Sequence, residues 1–168
     1  KSDSATLSYE FETTHLKSFE ENKTEIGVLT QNYTELASSI EHKASLIPLS
    51  LKISNIVVEQ TKEASTAITI LETTIDKAGS NTDGIELVQV QLASLYEDSN
   101  QVSKSVETLE NIKKSLPEYL GAYVYFHLGR IYSATGETEK AKEHLNYVVE
   151  KYEDTEEAKL AKIILTEI

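Results

Sequence analysis

The sequence has no cysteine, no methionine and no tryptophan, and only two prolines and six glycines. Without cysteine there is no disulfide, no thiolate metal site and no cysteine nucleophile. Without methionine there is no initiator, so Lys1 is read as lying downstream of the translational start, with an upstream segment expected. Long apolar runs are missing too. The longest uninterrupted one is Ala122 to Phe126, far short of the ~20 residues that span a bilayer. The start carries no charged-then-apolar signal-peptide pattern. Scarce glycine and proline leave little material for the many tight turns of an all-β fold.

What is present points to a folded helical domain. A length of 168 residues suits one domain with a core of its own. Twenty-eight acidic residues against 16 basic ones give a net charge of −12, which disfavours phosphate backbones and anionic lipid surfaces. Hydrophobic residues make up 39%, with nine tyrosines and three phenylalanines, enough to form a core rather than a disordered chain. The apolar positions recur at three- and four-residue steps, as in Leu87, Val88, Leu92, Leu95 and Tyr96, or Leu145, Val148 and Val149. The spacing predicts helices over 4–20, 25–44, 47–60, 62–78, 84–97, 101–115, 118–134, 138–152 and 155–168. Asp83 with Glu86, and Asp154 with Glu157, have the spacing of capping boxes at helix starts. Pro117 suits a first helical turn and Gly136 a tight break. The fold class expected is all-α.

The chain also repeats itself. Leu92-Ala93-Ser94-Leu95-Tyr96 and Leu128-Gly129-Arg130-Ile131-Tyr132 share a pattern of large apolar, small, any, apolar, tyrosine at an offset of 36. The same offset pairs Ser105 with Ala141, Leu109 with Leu145 and Ile112 with Val148. A fainter copy sets Val58, Ala67 and Leu71 at the corresponding positions, and Ile164, Leu165 and Ile168 read as the first half of a further unit. Each unit is a helical hairpin whose small residues permit close helix approach. A single hairpin cannot bury its own apolar faces, so copies stack and a half-unit caps the end. This pattern resembles the tetratricopeptide repeat. Residues 122–153 match it at Tyr125, Leu128, Gly129, Tyr132, Gly136, Ala141 and Leu145, departing at Val148 and Glu153. Residues 86–117 match at Leu92, Ala93, Tyr96, Leu109 and Pro117, departing at Gln89 and Ser105; residues 48–78 match only at Ala67 and Leu71. The resemblance implies an α-solenoid: lead-in helices over 1–45 packed on the repeats, repeats from 46 to 168, and a capping helix at 155–168.

A narrower resemblance is to the extracytoplasmic domain of the YfgM-type ancillary subunit of the bacterial Sec translocon. It is carried by the segment from Leu49 to Gln60, by the two-helix lead-in, and by a length that suits a domain hung from one N-terminal membrane helix. Outer-membrane assembly lipoproteins of the BamD type are the rival, since they end repeats in strings like Lys151-Tyr152-Glu153-Asp154-Thr155.

Catalytic signatures are lacking. His15, His42, His127 and His144 form no metal-like pair; His127 is read as packing, and the other three as solvated. Asn81-Thr82-Asp83-Gly84 resembles part of a calcium loop, but Gly79 and Val90 occupy the positions that need Asp and Glu. No phosphate-binding glycine loop or nucleophile elbow occurs. Carboxylate pairs such as Glu20-Glu21 and Glu156-Glu157 read as solvated helix faces, and two glycosylation sequons, at Asn22 and Asn32, matter only in a eukaryotic secretory setting. The expectation is a non-enzyme with no cofactor and no metal. Tyr123, Phe126 and Arg130, spaced by three and four, form a stripe distinct from the repeat-packing Tyr125 and Tyr132. In the tetratricopeptide family that stripe lines the concave groove that holds peptides, and Leu87 and Val90 fall at matching positions one unit earlier. The alternative is that these side chains cover the lead-in helices. The resemblance implies a protein-interaction domain on the periplasmic face of the bacterial inner membrane, binding translocon, secretory clients or chaperones. Alternatives are a structural scaffold subunit of an envelope assembly and a cytoplasmic adaptor.

Overall fold

The three- and four-residue apolar steps do fold as helices. The computed structural model describes residues 3–168, and among these there are nine helices and no strand. Helix α1 runs through Ser4–Phe11, a π turn at Glu12–Leu16 and Lys17–Glu20. It is followed by α2 (Ile26–Ser39), α3 (Leu46–Thr61), α4 (Ser65–Ala78), α5 (Ile85–Asp98), α6 (Val102–Lys113), α7 (Gly121–Ala134), α8 (Thr138–Lys151) and α9 (Glu156–Leu165). Short 3-10 turns at Lys43–Ser45 and Glu118–Leu120 lead into α3 and α7. Neighbouring helices pack in pairs, α3 on α4 and α7 on α8 most extensively, so the class is all-α and consistent with a tetratricopeptide-like solenoid. The chain divides into two compact units, one ending at Gln101 and one spanning Val102–Ile168. The division falls between the two helices of the hairpin expected at 86–117.

In the first unit, α1 shows why a π turn forms. Its buried residues are Phe11, Leu16 and Phe19. At 3.6 residues per turn, the five-residue step from Phe11 to Leu16 would set them about 140° apart. The π turn widens the helix locally, with the Lys17 N–H donating to the Glu12 carbonyl, so both side chains reach one core. That core gathers Leu29, Tyr33, Leu46, Ile53, Val57, Ile70, Leu71, Val88 and Leu92. Tyr33 is fully buried and its hydroxyl lies 2.7 Å from that of Thr74, tying α2 to α4. Burial pushes the Tyr33 phenol up to about 12. Lys52 on α3 pairs with Glu12 on α1.

The expected helix over 25–44 is shorter. It ends at Ser39, because Ile40 turns extended and enters the core at 1% exposure. Lys43 then reaches back, its Nζ donating to the Ala37 carbonyl at 2.7 Å, a cation on the negative end of the helix. The capping boxes are also corrected. At α5 the cap is Gly84, whose φ of +85° favours glycine, and no side chain bonds there. At α9 the cap is Thr155, one residue later than expected, and its hydroxyl accepts from the Ala158 N–H at 3.2 Å.

The repeat is written into the backbone as well as the sequence. After α5, Asn100 takes φ +60°, the Asn100 N–H donates to the Glu97 carbonyl and that of Gln101 to Tyr96. After α7, Gly136 takes φ +81°, with the same pair of bonds to Ser133 and from Glu137 to Tyr132. Both are Schellman closures, 36 residues apart. The tyrosine preceding each also donates its hydroxyl to a carboxylate on the helix before it, Tyr96 to Glu72 at 2.5 Å and Tyr132 to Glu110 at 2.9 Å.

In the second unit, α6, α8 and α9 all pack on α7. Gly129 sets the α7–α8 spacing: a Cβ built there would sit 2.7 Å from Leu145 Cγ and 3.2 Å from the Leu145 backbone nitrogen. Ser105 occupies the small-residue position held by Ala141 in the later hairpin; it is 1% exposed and its hydroxyl has no hydrogen-bond partner among the described residues. Replacing that hydroxyl removes an unsatisfied buried polar group. Ser105→Ala is therefore expected to raise stability by ~1 kcal/mol. Chemical denaturation checks this, and a loss of stability would mean the hydroxyl is satisfied by bound water.

Candidate protein-interaction surface

Helix α7 carries the sequence-predicted aromatic stripe, and the structure divides it. Tyr123 and Arg130 are half-buried on one face. Between them lies His127 rather than Phe126. The Tyr123 and His127 rings stack with centroids 4.1 Å apart, and Arg130 Nη2 lies 3.1 Å from His127 Nδ1. Positions i, i+4 and i+7 of one helix thus form a continuous phenol–imidazole–guanidinium ladder. Arg130 is the only arginine in the chain, against fifteen lysines. Its planar fork matches a carboxylate bidentately, and the rings beside it offer apolar faces for a partner chain.

Phe126 has a different place. It is 7% exposed and belongs to a buried cluster with Leu145, Val148, Ala158 and Ala161. Its ring contributes to the packing of α7, α8 and α9 and presents little surface to a partner. Leu87 and Val90 lie on α5 in the other unit, Leu87 at 40% exposure and Val90 half-buried. His127, read from the sequence as packing, is the residue that joins the stripe. Its spacing of four from Tyr123 and three from Arg130 was the available signal.

Behind this face lies a polar cluster. His144, expected to be solvated, is 4% exposed. Its Nδ1 lies 2.8 Å from the Lys140 carbonyl and its Nε2 3.0 Å from Lys113 Nζ. An Nδ1–H donated to the carbonyl leaves Nε2 to accept from the ammonium. Both ring nitrogens are thus engaged, which leaves neither for a substrate. Lys113 also pairs with Glu110 at 2.7 Å. Burial pushes the Glu110 carboxyl up, but the hydrogen bonds from Lys113 and Tyr132 and the nearby positive charge outweigh it and hold Glu110 below the usual carboxylate range. Burial and the Glu110 carboxylate push the Tyr132 phenol up. Tyr125 stacks on Tyr147 at 4.1 Å, at the outer edge of the cluster. His15 and His42 are exposed, and among the described residues no group of three histidines or carboxylates could hold a metal ion.

The family comparison agrees with this geometry. Residues 123–155, which cover α7 from Tyr123 onward, the Gly136 closure, α8 and the turn into α9, match the tetratricopeptide repeat model. Comparisons with curated proteins and with solved structures found no match. The match covers one repeat, a unit that generally serves protein–protein interaction rather than catalysis, and the paired helices of the all-α chain are consistent with it.

Proposed function

We propose that this chain is a non-enzymatic interaction domain that captures protein segments on the Tyr123–His127–Arg130 face of α7, and that it acts on the periplasmic side of a bacterial inner membrane, beside the Sec translocon. The observation that carries the binding surface is the ladder itself. Two aromatic rings and the chain's single guanidinium are aligned on one helix, each half-buried. Aromatic and arginine side chains of this kind are common anchors of protein interfaces. The location rests on the likeness of Leu49–Gln60 and the lead-in helices to the translocon-associated domains. An envelope scaffold, bound through residues 1–45, is the competing assignment.

Arg130→Glu reverses the charge at the centre of the surface while keeping a good helix former. It is expected to weaken capture of the partner tenfold or more with far-UV circular dichroism unchanged. The measurement is photo-crosslinking from position 123 in the natural protein in its own membranes. Adducts with translocon subunits or secretory proteins, lost in Arg130→Glu, are the expected result. Adducts recovered only from probes placed within residues 1–45 would overturn it in favour of the scaffold.

A further inference from the structure

A cleft of about 500 Å³ opens between α1 and α2 in the first unit, remote in sequence from the α7 surface and independent of it. Its volume lies within the range of ~300–1,000 Å³ typical of ligand sites. Leu7, Phe11 and Leu36 supply apolar lining, while Glu10 on α1 and Glu35 on α2 supply a carboxylate from each side. Among the described residues neither carboxylate is paired with a cation. Glu35 is held from within its own helix, its Oε1 accepting from Gln31 Nε2 at 3.1 Å. The two walls are tied together where Asn32 Nδ2 meets His15 Nδ1 at 2.9 Å. His15 lies in the π turn, so the widened helix also places one wall of the cleft.

We infer that this cleft binds an alkylammonium or alkylguanidinium group, as carried by a lysine or arginine side chain of a protein segment. The cationic head sits between Glu10 and Glu35 and the aliphatic stem lies along Leu7, Phe11 and Leu36. Charge complementarity selects this ligand over the alternatives. An anion would meet two carboxylates in a chain of net charge −12. A purely apolar ligand would leave both exposed carboxylates without a charge partner. The cross-helix bond between Asn32 and His15 holds the walls in place before the ligand arrives, which lowers the ordering cost of binding. A free polyamine presents the same chemistry, and the test separates the two sources.

The test is a backbone-amide NMR titration of the chain with a capped tetra-arginine peptide, with spermidine, and with a capped tetra-glutamine peptide as the neutral control. The expected result is shifts centred on Leu7, Phe11, His15, Asn32 and Leu36 with the arginine peptide and none with the glutamine peptide. Glu10→Gln with Glu35→Gln should raise the arginine-peptide Kd tenfold or more. The exposed α8 pair Glu139→Gln with Glu143→Gln, an equal change of charge, should leave it within twofold. Unchanged circular dichroism excludes unfolding as the cause. Saturation by the arginine peptide assigns the cleft to a basic protein segment, and saturation by spermidine alone assigns the same site to a polyamine. Equal loss in the two double variants, shifts scattered over the acidic surface, or binding of the glutamine peptide would overturn the inference.

Discussion

Phe126→Ala is expected to lower the stability of the second unit by about 3–5 kcal/mol, the cost of removing a large aromatic from a packed core. Phe126 is 7% exposed among Leu145, Val148, Ala158 and Ala161. The two alanines belong to α9, so the ring fills space that their short side chains leave open. A whole domain is stable by only about 5–15 kcal/mol, so the variant should be partly unfolded near body temperature. Chemical denaturation followed by far-UV circular dichroism measures the loss. The result also decides which residues of α7 belong to the binding surface. A loss below about 1 kcal/mol, the scale of ordinary surface substitutions, together with lost partner capture, would put Phe126 in the groove after all. A large loss with capture retained at low temperature leaves Tyr123, His127 and Arg130 as that surface.

The contact between Gly129 and Leu145 predicts a change of sign. Leu145→Ala alone should cost about 2–5 kcal/mol, since Leu145 is fully buried. Gly129→Ala alone combines two opposed effects. A glycine-to-alanine change inside a helix stabilises by about 1 kcal/mol, whereas overpacking costs about 1–3 kcal/mol. The new Cβ would lie 2.7 Å from Leu145 Cγ and 3.2 Å from a backbone nitrogen of α8. Leu145 is fully buried and has no free space to swing into, so the contact with its side chain wins and the variant is less stable; the approach to the backbone nitrogen needs a shift of only a few tenths of an ångström. In the Leu145→Ala background the side-chain obstacle is gone, and the same Gly129→Ala change should become stabilising. A double-mutant cycle reads this as a coupling of about 1–3 kcal/mol between the two sites. Additive effects would mean that the helices spread apart at little cost and that Gly129 does not set their spacing.

How much of this was legible in the sequence depended on the kind of signal. Three- and four-residue periodicity located the helices because it reports burial directly. The 36-residue offset anticipated matching positions, and the structure adds matching Schellman closures at Asn100 and Gly136. Facing was harder on α7. Between Tyr123 and Tyr132 that helix is apolar or aromatic on nearly every side, so periodicity could not decide whether Phe126 or His127 pointed inward. The caps shifted by a single residue because Asp154 and Thr155 are both good caps, and only the backbone geometry selects Thr155. His144 was misread for a different reason. It lies among charged and polar neighbours, but its partner Lys113 is 31 residues away, and no local pattern announces a buried polar cluster of that span. The cleft between α1 and α2 likewise joins residues from two helices, none of which belongs to a motif.

The π turn in α1 carries a further meaning for the chain's length. An α-helix reaching from Phe11 to Leu16 needs one residue fewer to set both side chains on the same face, so the turn between them contains a spare. Loss of one residue from an ordinary amphipathic helix swings everything beyond it by about 100° and exposes half of its core face. Here the loss of one residue between Phe11 and Leu16 would instead restore a four-residue step and leave Leu16 and Phe19 directed inward. Within α1, therefore, the sequence can shorten by one position without losing its helical register.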